Sequence, residues 1–231
     1  MYMKLKPLFA ATALLFASHS VFASDGIVLG ATRVVYSADA KEASLTVDNH
    51  SSKQYFLVQS WVDDKDGNKK VPFSITPPLF RLNANKENML RIMKTGGQLP
   101  NDRESVYWLN VKAIPPAPEA GEAQNVLQLA IKTRIKMFYR PADLPGKADE
   151  SPKALQWSVQ GGELIAKNPT AYSVTLDSVK LSGNEIKNVN LVMPKSEAHF
   201  KLPAGVQGKQ VVFTTINDYG GVTPAITAAV N

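Results

Sequence analysis

NVLQLAIKTRIKMFYRP, residues 125–141, places Leu127, Leu129, Ile131, Ile135 and Met137 on odd positions and Lys132, Arg134, Lys136 and Arg140 on even ones. A period of two belongs to a β-strand, whose successive side chains point to opposite faces. The stretch is long for a strand, and a long apolar row left unpaired at a sheet edge invites aggregation. Its pattern leaves two destinations open. The row either faces the core of its own sheet or is kept for a partner.

Outward from this stretch the chain reads as all-β. Runs rich in Val, Ile, Thr and aromatic residues recur between turn signals: VLGATRVVY, ASLTVDN, YFLVQSWV, ENMLRIMK and VYWLNVKAI before it, then ELIAKN, YSVTLDSVKL, NVNLVM, HFKL and QVVFTTIND after it. No long segment of 3.6-residue period interrupts them. PADLPGKADESP, residues 141–152, holds three prolines and a glycine among charged residues and reads as a break. We expect two antiparallel β-sandwiches of immunoglobulin type, residues 24–143 and 153–231, joined by a linker at 144–152.

The first 23 residues carry Lys4 and Lys6, an apolar run from Leu8 to Ala17, and Val21 and Ala23 at the positions a signal peptidase reads. Export and cleavage after Ala23 are expected, since the run is shorter than the roughly 20 apolar residues that span a bilayer. Cleavage removes two lysines and no acid, lowering the net charge from +6 to +4. The remaining cations are scattered along strands rather than gathered with aromatics, so nucleic acid is not an expected partner, and neither is membrane insertion. The sequence has no cysteine, so an exported chain of this kind rests on its apolar cores rather than on a disulfide framework.

Catalytic chemistry has little to stand on. Beyond the N-terminal segment the only histidines are His50, in DNHSSK, and His199. Isolated histidines of this kind are usually solvated or structural. There is no histidine cluster, no cysteine and no carboxylate pair at ligand spacing, so no metal or cofactor is expected. The Gly161-Gly162 and Gly220-Gly221 pairs lack a strand-to-helix context and read as turns rather than phosphate loops.

Seven blocks then become recognisable together: GATRVVY (30–36), YFLVQSWV (55–62), TPPLFRL (76–82), LPNDRESVYWLNVKAIPP (99–116), LQLAIKTRIKMFYRP (127–141), NPTAYSVT (168–175) and INDYGG (216–221). In this order and spacing, along the whole mature chain, they resemble the periplasmic pilus chaperones of the chaperone–usher pathway, in particular those of type 1 fimbriae.

That resemblance implies two immunoglobulin-like domains in a boomerang arrangement, and a first domain whose last strand is lent to a pilus subunit lacking its own. The matching strand here is residues 125–136, with Leu127, Leu129 and Ile131 filling the subunit's groove. Arg33 and Lys136 match the pair that binds the subunit's C-terminal carboxylate. Glu104, Arg140 and Asp218 match an ion-pair network at the domain junction. The partners implied are pilus subunits and the outer-membrane usher. PPAPEAGEAQ, residues 115–124, is short, as in family members that serve rod-like, adhesin-tipped pili. A cis bond at Thr76-Pro77 also fits the family. Leu79 and Phe80 read as core residues, with the usher-facing surface as the alternative. Two other readings of the chain stay open: a fimbrial subunit or adhesin, and a periplasmic enzyme or solute-binding protein, although the sequence offers almost no pocket-forming titratable groups.

Overall fold

A computed structural model of the protein describes residues 26–117 and 127–231; residues 1–25 and 118–126 lie outside them. The first half consists of nine strands: β1 (Ile27–Leu29), β2 (Arg33–Ser37), β3 (Ala43–Asn49), β4 (Phe56–Asp63), β5 (Phe73–Thr76), β6 (Leu79–Leu82), β7 (Glu87–Lys94), β8 (Ser105–Ile114) and β9 (Ile131–Arg140). They form two sheets, β1-β3-β7-β5 and β2-β9-β8-β4-β6. Alternate residues of each strand turn inward, so that Leu45, Val47, Val58, Leu90, Ile92, Leu109 and Met137 meet between the sheets. Each such aliphatic side chain contributes about 1.5–3 kcal/mol on full burial. Tyr36, Phe73 and Tyr139 close one end of this core with ring centroids 5.6–6.0 Å apart.

VLGATRVVY, a single run in the sequence, is two strands in opposite sheets. The chain crosses between them at Gly30, whose N–H donates to the Thr46 carbonyl at 2.9 Å and where a Cβ would sit a tight 3.2 Å from Thr46 Cβ. This crossover also corrects the expectation of wholly antiparallel sheets. No hairpin joins β2 to its neighbour, and β2 pairs with β9 in parallel, Arg33 opposite Lys136.

TPPLFRL makes a second crossover, from β5 in one sheet to β6 in the other. Its prolines, which have no N–H to give a ladder, sit between the two pairings, and the Thr76–Pro77 bond is cis. Leu79, expected in the core, is exposed instead. It lies opposite Gln59 on the outer face of an edge strand, whereas Phe80, opposite the buried Val58, packs partly against the core.

The second half has strands β10 (Gln156–Gln160), β11 (Glu163–Asn168), β12 (Val174–Leu181), β13 (Asn184–Glu185), β14 (Leu191–Val192), β15 (Ser196–Lys201), β16 (Gln210–Ile216) and β17 (Ile226–Ala229). Sheet β10-β11-β15 faces sheet β13-β12-β16-β17, with β14 beside β12. Trp157, Leu164, Val179, Leu181, Val211 and Phe213 fill the space between them, the Trp157 and Phe213 rings 5.1 Å apart. Gly161 and Gly162, both at positive φ, form the tight turn of the β10–β11 hairpin.

The segment between the halves is packed down rather than loose. Leu144 is buried against Ala171 and Tyr172, the Tyr172 hydroxyl donates to the Gly146 carbonyl at 3.1 Å, and Ser151 Oγ donates to the Lys147 carbonyl at 2.8 Å. A single 3₁₀ turn, Ser151–Ala154, leads into β10. Among the described residues no helix is long and apolar enough to cross a membrane.

Candidate functional site

The ladder between β8 and β9 runs from Ala113↔Ile131 to Ser105↔Tyr139. On its other side β9 is paired only from Lys136 to Arg140, by β2. From Ile131 to Ile135, therefore, one edge of β9 has no strand beside it among the described residues. Leu127–Ala130 are not in a strand, which corrects the expected extent of 125–136. The reason is local: β8 ends at Ile114, and the following Pro115 and Pro116 have no N–H with which to extend the ladder. Gln128 instead donates its side-chain amide to the Pro115 carbonyl at 3.2 Å and the Pro116 carbonyl at 2.5 Å. Asn125 and Val126 lie outside the described residues.

The odd-numbered row is divided between solvent and the core. Leu127, Leu129 and Ile131 are 82%, 65% and 68% exposed, whereas Ile135 and Met137 are 8% and 0% exposed in the core. Ile131 lies opposite Ala113, on the core-facing side of the sheet, so the row runs on past the end of its own domain's core. The even-numbered face is occupied differently. Arg134 donates to Asp63 Oδ1 at 2.9 Å and stacks 4.8 Å from the Trp108 ring.

Arg33 and Lys136 face each other where the free edge ends. The Arg33 guanidinium is buried and reaches into the second domain, where Nη1 donates to the Ile216 carbonyl at 3.1 Å and Thr175 Oγ1 at 3.4 Å. Its Nε–H has no acceptor. Burial lowers the Arg33 pKa, partly offset by the charge of Asp218; burial, then the charge of Arg33, lowers that of Lys136. Neither forms an ion pair among the described residues. Two adjoining, partly desolvated cations without a counterion favour an anion, and their donors suit a carboxylate.

Arg140, at the end of β9, lies between two acids. Its Nε donates to Glu104 Oε1 at 2.6 Å, while Nη1 and Nη2 donate to Asp218 Oδ2 and Oδ1 at 2.7 and 3.0 Å. Glu104 crosses the domain junction: its second carboxylate oxygen accepts from the Ser173 N–H at 2.7 Å, and its own N–H donates to the Ala171 carbonyl at 2.9 Å. The Glu104 side chain is 1% exposed and that of Asp218 36%. Burial pushes the Glu104 carboxyl up despite the opposing pull of Arg140. Burial works against the Arg140 charge, but hydrogen bonds to Asp218 and the charge of Glu104 outweigh it and hold its pKa above the ordinary value.

Two further junction contacts had no signal in the sequence. Lys195 Nζ lies 2.6 Å from Asp102 Oδ2, and hydrogen bonds from Arg103 and Lys195 hold the Asp102 carboxyl down to about 2. Gly220, at φ +86°, lets the 217–221 loop touch the first domain, since a Cβ there would collide with Thr32 Oγ1. The histidines stay outside this site. His199 bridges Glu163 and Glu197 on the exposed face of β15, at 3.0 and 3.2 Å.

Comparison with known proteins agrees with this geometry. Residues 26–145 match the profile of the pili and flagellar-assembly chaperone family, PapD N-terminal domain, and residues 150–227 that of the pili assembly chaperone PapD, C-terminal domain. The chain is 47% identical over 229 residues to the probable fimbrial chaperone LpfB of Escherichia coli O157:H7, covering 98% of each. It is 43% identical over 206 residues to the chaperone protein FimC of Escherichia coli K12, covering 89% of this chain and 85% of FimC. Among solved structures, the Salmonella enterica SafA pilin in complex with the SafB chaperone contains a chain that matches with TM-score 0.82 and 35% identity, covering 88% of this chain and 96% of that one. The Escherichia coli chaperone DraB matches with TM-score 0.80 and 37% identity, over 89% and 97% of the two chains. With both domain profiles matched in order and relatives of this similarity along nearly its whole length, the chain belongs to the PapD family of pilus-assembly chaperones.

Proposed function

We propose that the protein captures a pilus subunit in the periplasm by lending it the edge of β9, caps it, and delivers it to the outer-membrane usher. The observation that carries this reading is the division of one apolar row, free over Leu127, Leu129 and Ile131 and buried over Ile135 and Met137. A protein that keeps three large aliphatic side chains exposed on and just before an unpaired strand edge has a use for that edge. An incomplete sandwich is the complementary partner: the lent strand supplies ladder hydrogen bonds while its alternate side chains enter the open core. Three side chains at about 1.5–3 kcal/mol each are enough to dominate the contact.

Arg33 and Lys136 fix the register. A subunit strand whose terminal carboxylate rests on these cations runs parallel to β9, in line with β2, and its upstream residues then meet only one set of positions. Glu104, Arg140 and Asp218 hold the domains so that Arg33, on the first, stays bonded to Ile216, on the second. We assign the mature protein to residues 24–231, after removal of 1–23, with domains at 24–143 and 153–231 and the junction segment at 144–152. It acts by binding, without catalysis. Relatives described as chaperones, one of them solved with a pilin, favour this reading over a fimbrial subunit or adhesin.

Co-expression with fimbrial subunits, followed by purification from the periplasm, tests the proposal. A subunit should co-purify with the intact protein and be lost with Lys136→Ala. A purified protein that polymerises alone would support the subunit alternative.

A further inference from the structure

Beside Arg33, between the two domains, lies a cavity of about 220 Å³. Phe138 of the first domain, Pro152 of the connecting turn and Val174 and Ile216 of the second give it mostly apolar walls. Two buried polar atoms of its lining residues lack partners: Arg33 Nε and Ser173 Oγ. Arg33 is more than nine-tenths buried, with 8% exposure. Buried donors are normally satisfied, and leaving them so is unfavourable. An arginine N–H unmet at the wall of an apolar cavity fits a ligand that brings both an anion and an apolar body.

We infer that this cavity is a side-chain pocket, which takes the last residue of the captured strand while that residue's carboxylate rests on Arg33. The inference builds on the capture reading proposed above and adds to it the chemical class of the terminal residue. A strand running in line with β2 reaches Arg33 at the place where Thr32 meets Gly220, which is the boundary with the second domain. Its final side chain is then beside Ile216 and Val174 rather than the first-domain core. Tyr219 also lines the cavity, on a loop fixed by Asn217, whose Oδ1 accepts from the N–H groups of Tyr219 at 3.0 Å and Gly221 at 2.9 Å. Asp149 and Asp218 also line the cavity, so an acidic side chain is repelled. The pocket therefore selects a mainly apolar terminal residue over an acidic one. The Ser173 hydroxyl is the other buried side-chain group of the lining without a partner among the described residues.

Strand-forming acetylated peptides with a free terminal carboxylate, identical except for a last residue of leucine, glycine or glutamate, test this on the full mature protein. Burying the leucine side chain predicts binding at least about tenfold tighter than for the glycine peptide, with the glutamate peptide weakest. Ser173→Leu and Thr223→Leu, the second at another residue lining the cavity, each fill it and should remove the preference for leucine over glycine; a thermal melt checks that each variant is folded. Equal binding of the leucine and glycine peptides by the unmodified protein overturns the pocket, as does a preference that persists in both filled variants. Failure of the underlying capture reading looks different: either no peptide binds, or Arg33→Ala binds all three as the unmodified protein does.

Discussion

Replacing Arg140 with alanine removes the only cation between two carboxylates that differ sharply in exposure. Glu104, almost wholly buried, keeps a single donor, the Ser173 N–H, for its two oxygens. Removing one partner of a buried pair typically costs about 3–5 kcal/mol because the remaining charge is stranded. Asp218, more than a third exposed, is rehydrated, and its own replacement should cost only about 0–1 kcal/mol. Glu104→Ala leaves Arg140 with both of its bonds to Asp218 but strands the Ser173 N–H, at about 1–3 kcal/mol. The expected order of damage is Arg140, then Glu104, then Asp218. Urea unfolding followed by tryptophan emission reads it, since Trp61 and Trp108 report the first domain and Trp157 the second. Scattering at small angles should show a loosened interdomain angle in Arg140→Ala. The penalty also depends on pH. A carboxyl whose folded pKa is raised favours the folded state at low pH and loses that contribution as pH rises through the folded value. Protonating Glu104 should therefore shrink the Arg140→Ala deficit as pH falls from neutrality toward the ordinary carboxylate range of about 4. A deficit below about 1 kcal/mol at neutral pH, or an Asp218→Ala variant as damaged as Arg140→Ala, would refute the reasoning.

Along the divided row, Met137→Ala should cost about 2–5 kcal/mol of first-domain stability, whereas Ile131→Ala should change it by no more than about 0.5 kcal/mol, both read by thermal or urea unfolding. Leu129→Glu should leave the melting temperature unchanged yet abolish subunit co-purification, because a charge then has to enter an apolar groove; unfolding of the first domain by this change would show the row to be its own core. Lys136→Ala relieves repulsion from Arg33, so the free protein should melt no lower than before while subunit capture is lost, and normal pilus assembly in that strain would contradict the anchor. His199, with its pKa raised by hydrogen bonds to Glu163 and Glu197, should titrate in the nuclear magnetic resonance spectrum above 6.5; its small stabilising effect is full below that value, lost as pH rises through the folded pKa, and absent in His199→Gln.

Periodicity made the strands legible wherever one face is wet, as in ASLTVDN, and ELIAKN corresponds to β11. It failed where the constraint is not in the alternation. VLGATRVVY runs on in sequence because neither side chain nor charge marks the crossover, which depends on the close approach of Gly30 to Thr46. Strand β10 is short and mostly polar, held by its turn and by Trp157 rather than by a pattern. Leu79 was misplaced because hydrophobicity does not tell the two faces of an edge strand apart. Arg33, Lys136 and Arg140 stand out as cations in strands, but only tertiary folding shows that the first two lack a counterion. The Lys195–Asp102 contact joins residues 93 positions apart, and nothing near either one points to the other.

The early end of β8 gives the free edge a direction. From Ile131 to Ile135 the backbone is already fixed by its ladder with β8, whereas Leu127–Ala130 has no strand geometry until something supplies it. Ordering a residue's backbone costs about 1–2 kcal/mol, and that cost is absent where a neighbour has met it in advance. On the proposed function, a subunit strand is therefore received first at the Lys136 end, on a rigid template. Contact then spreads back toward Leu127, each added residue ordering the template and the guest together. Release runs the same path in reverse, so the loose end of the strand is where a competing strand gains its first foothold.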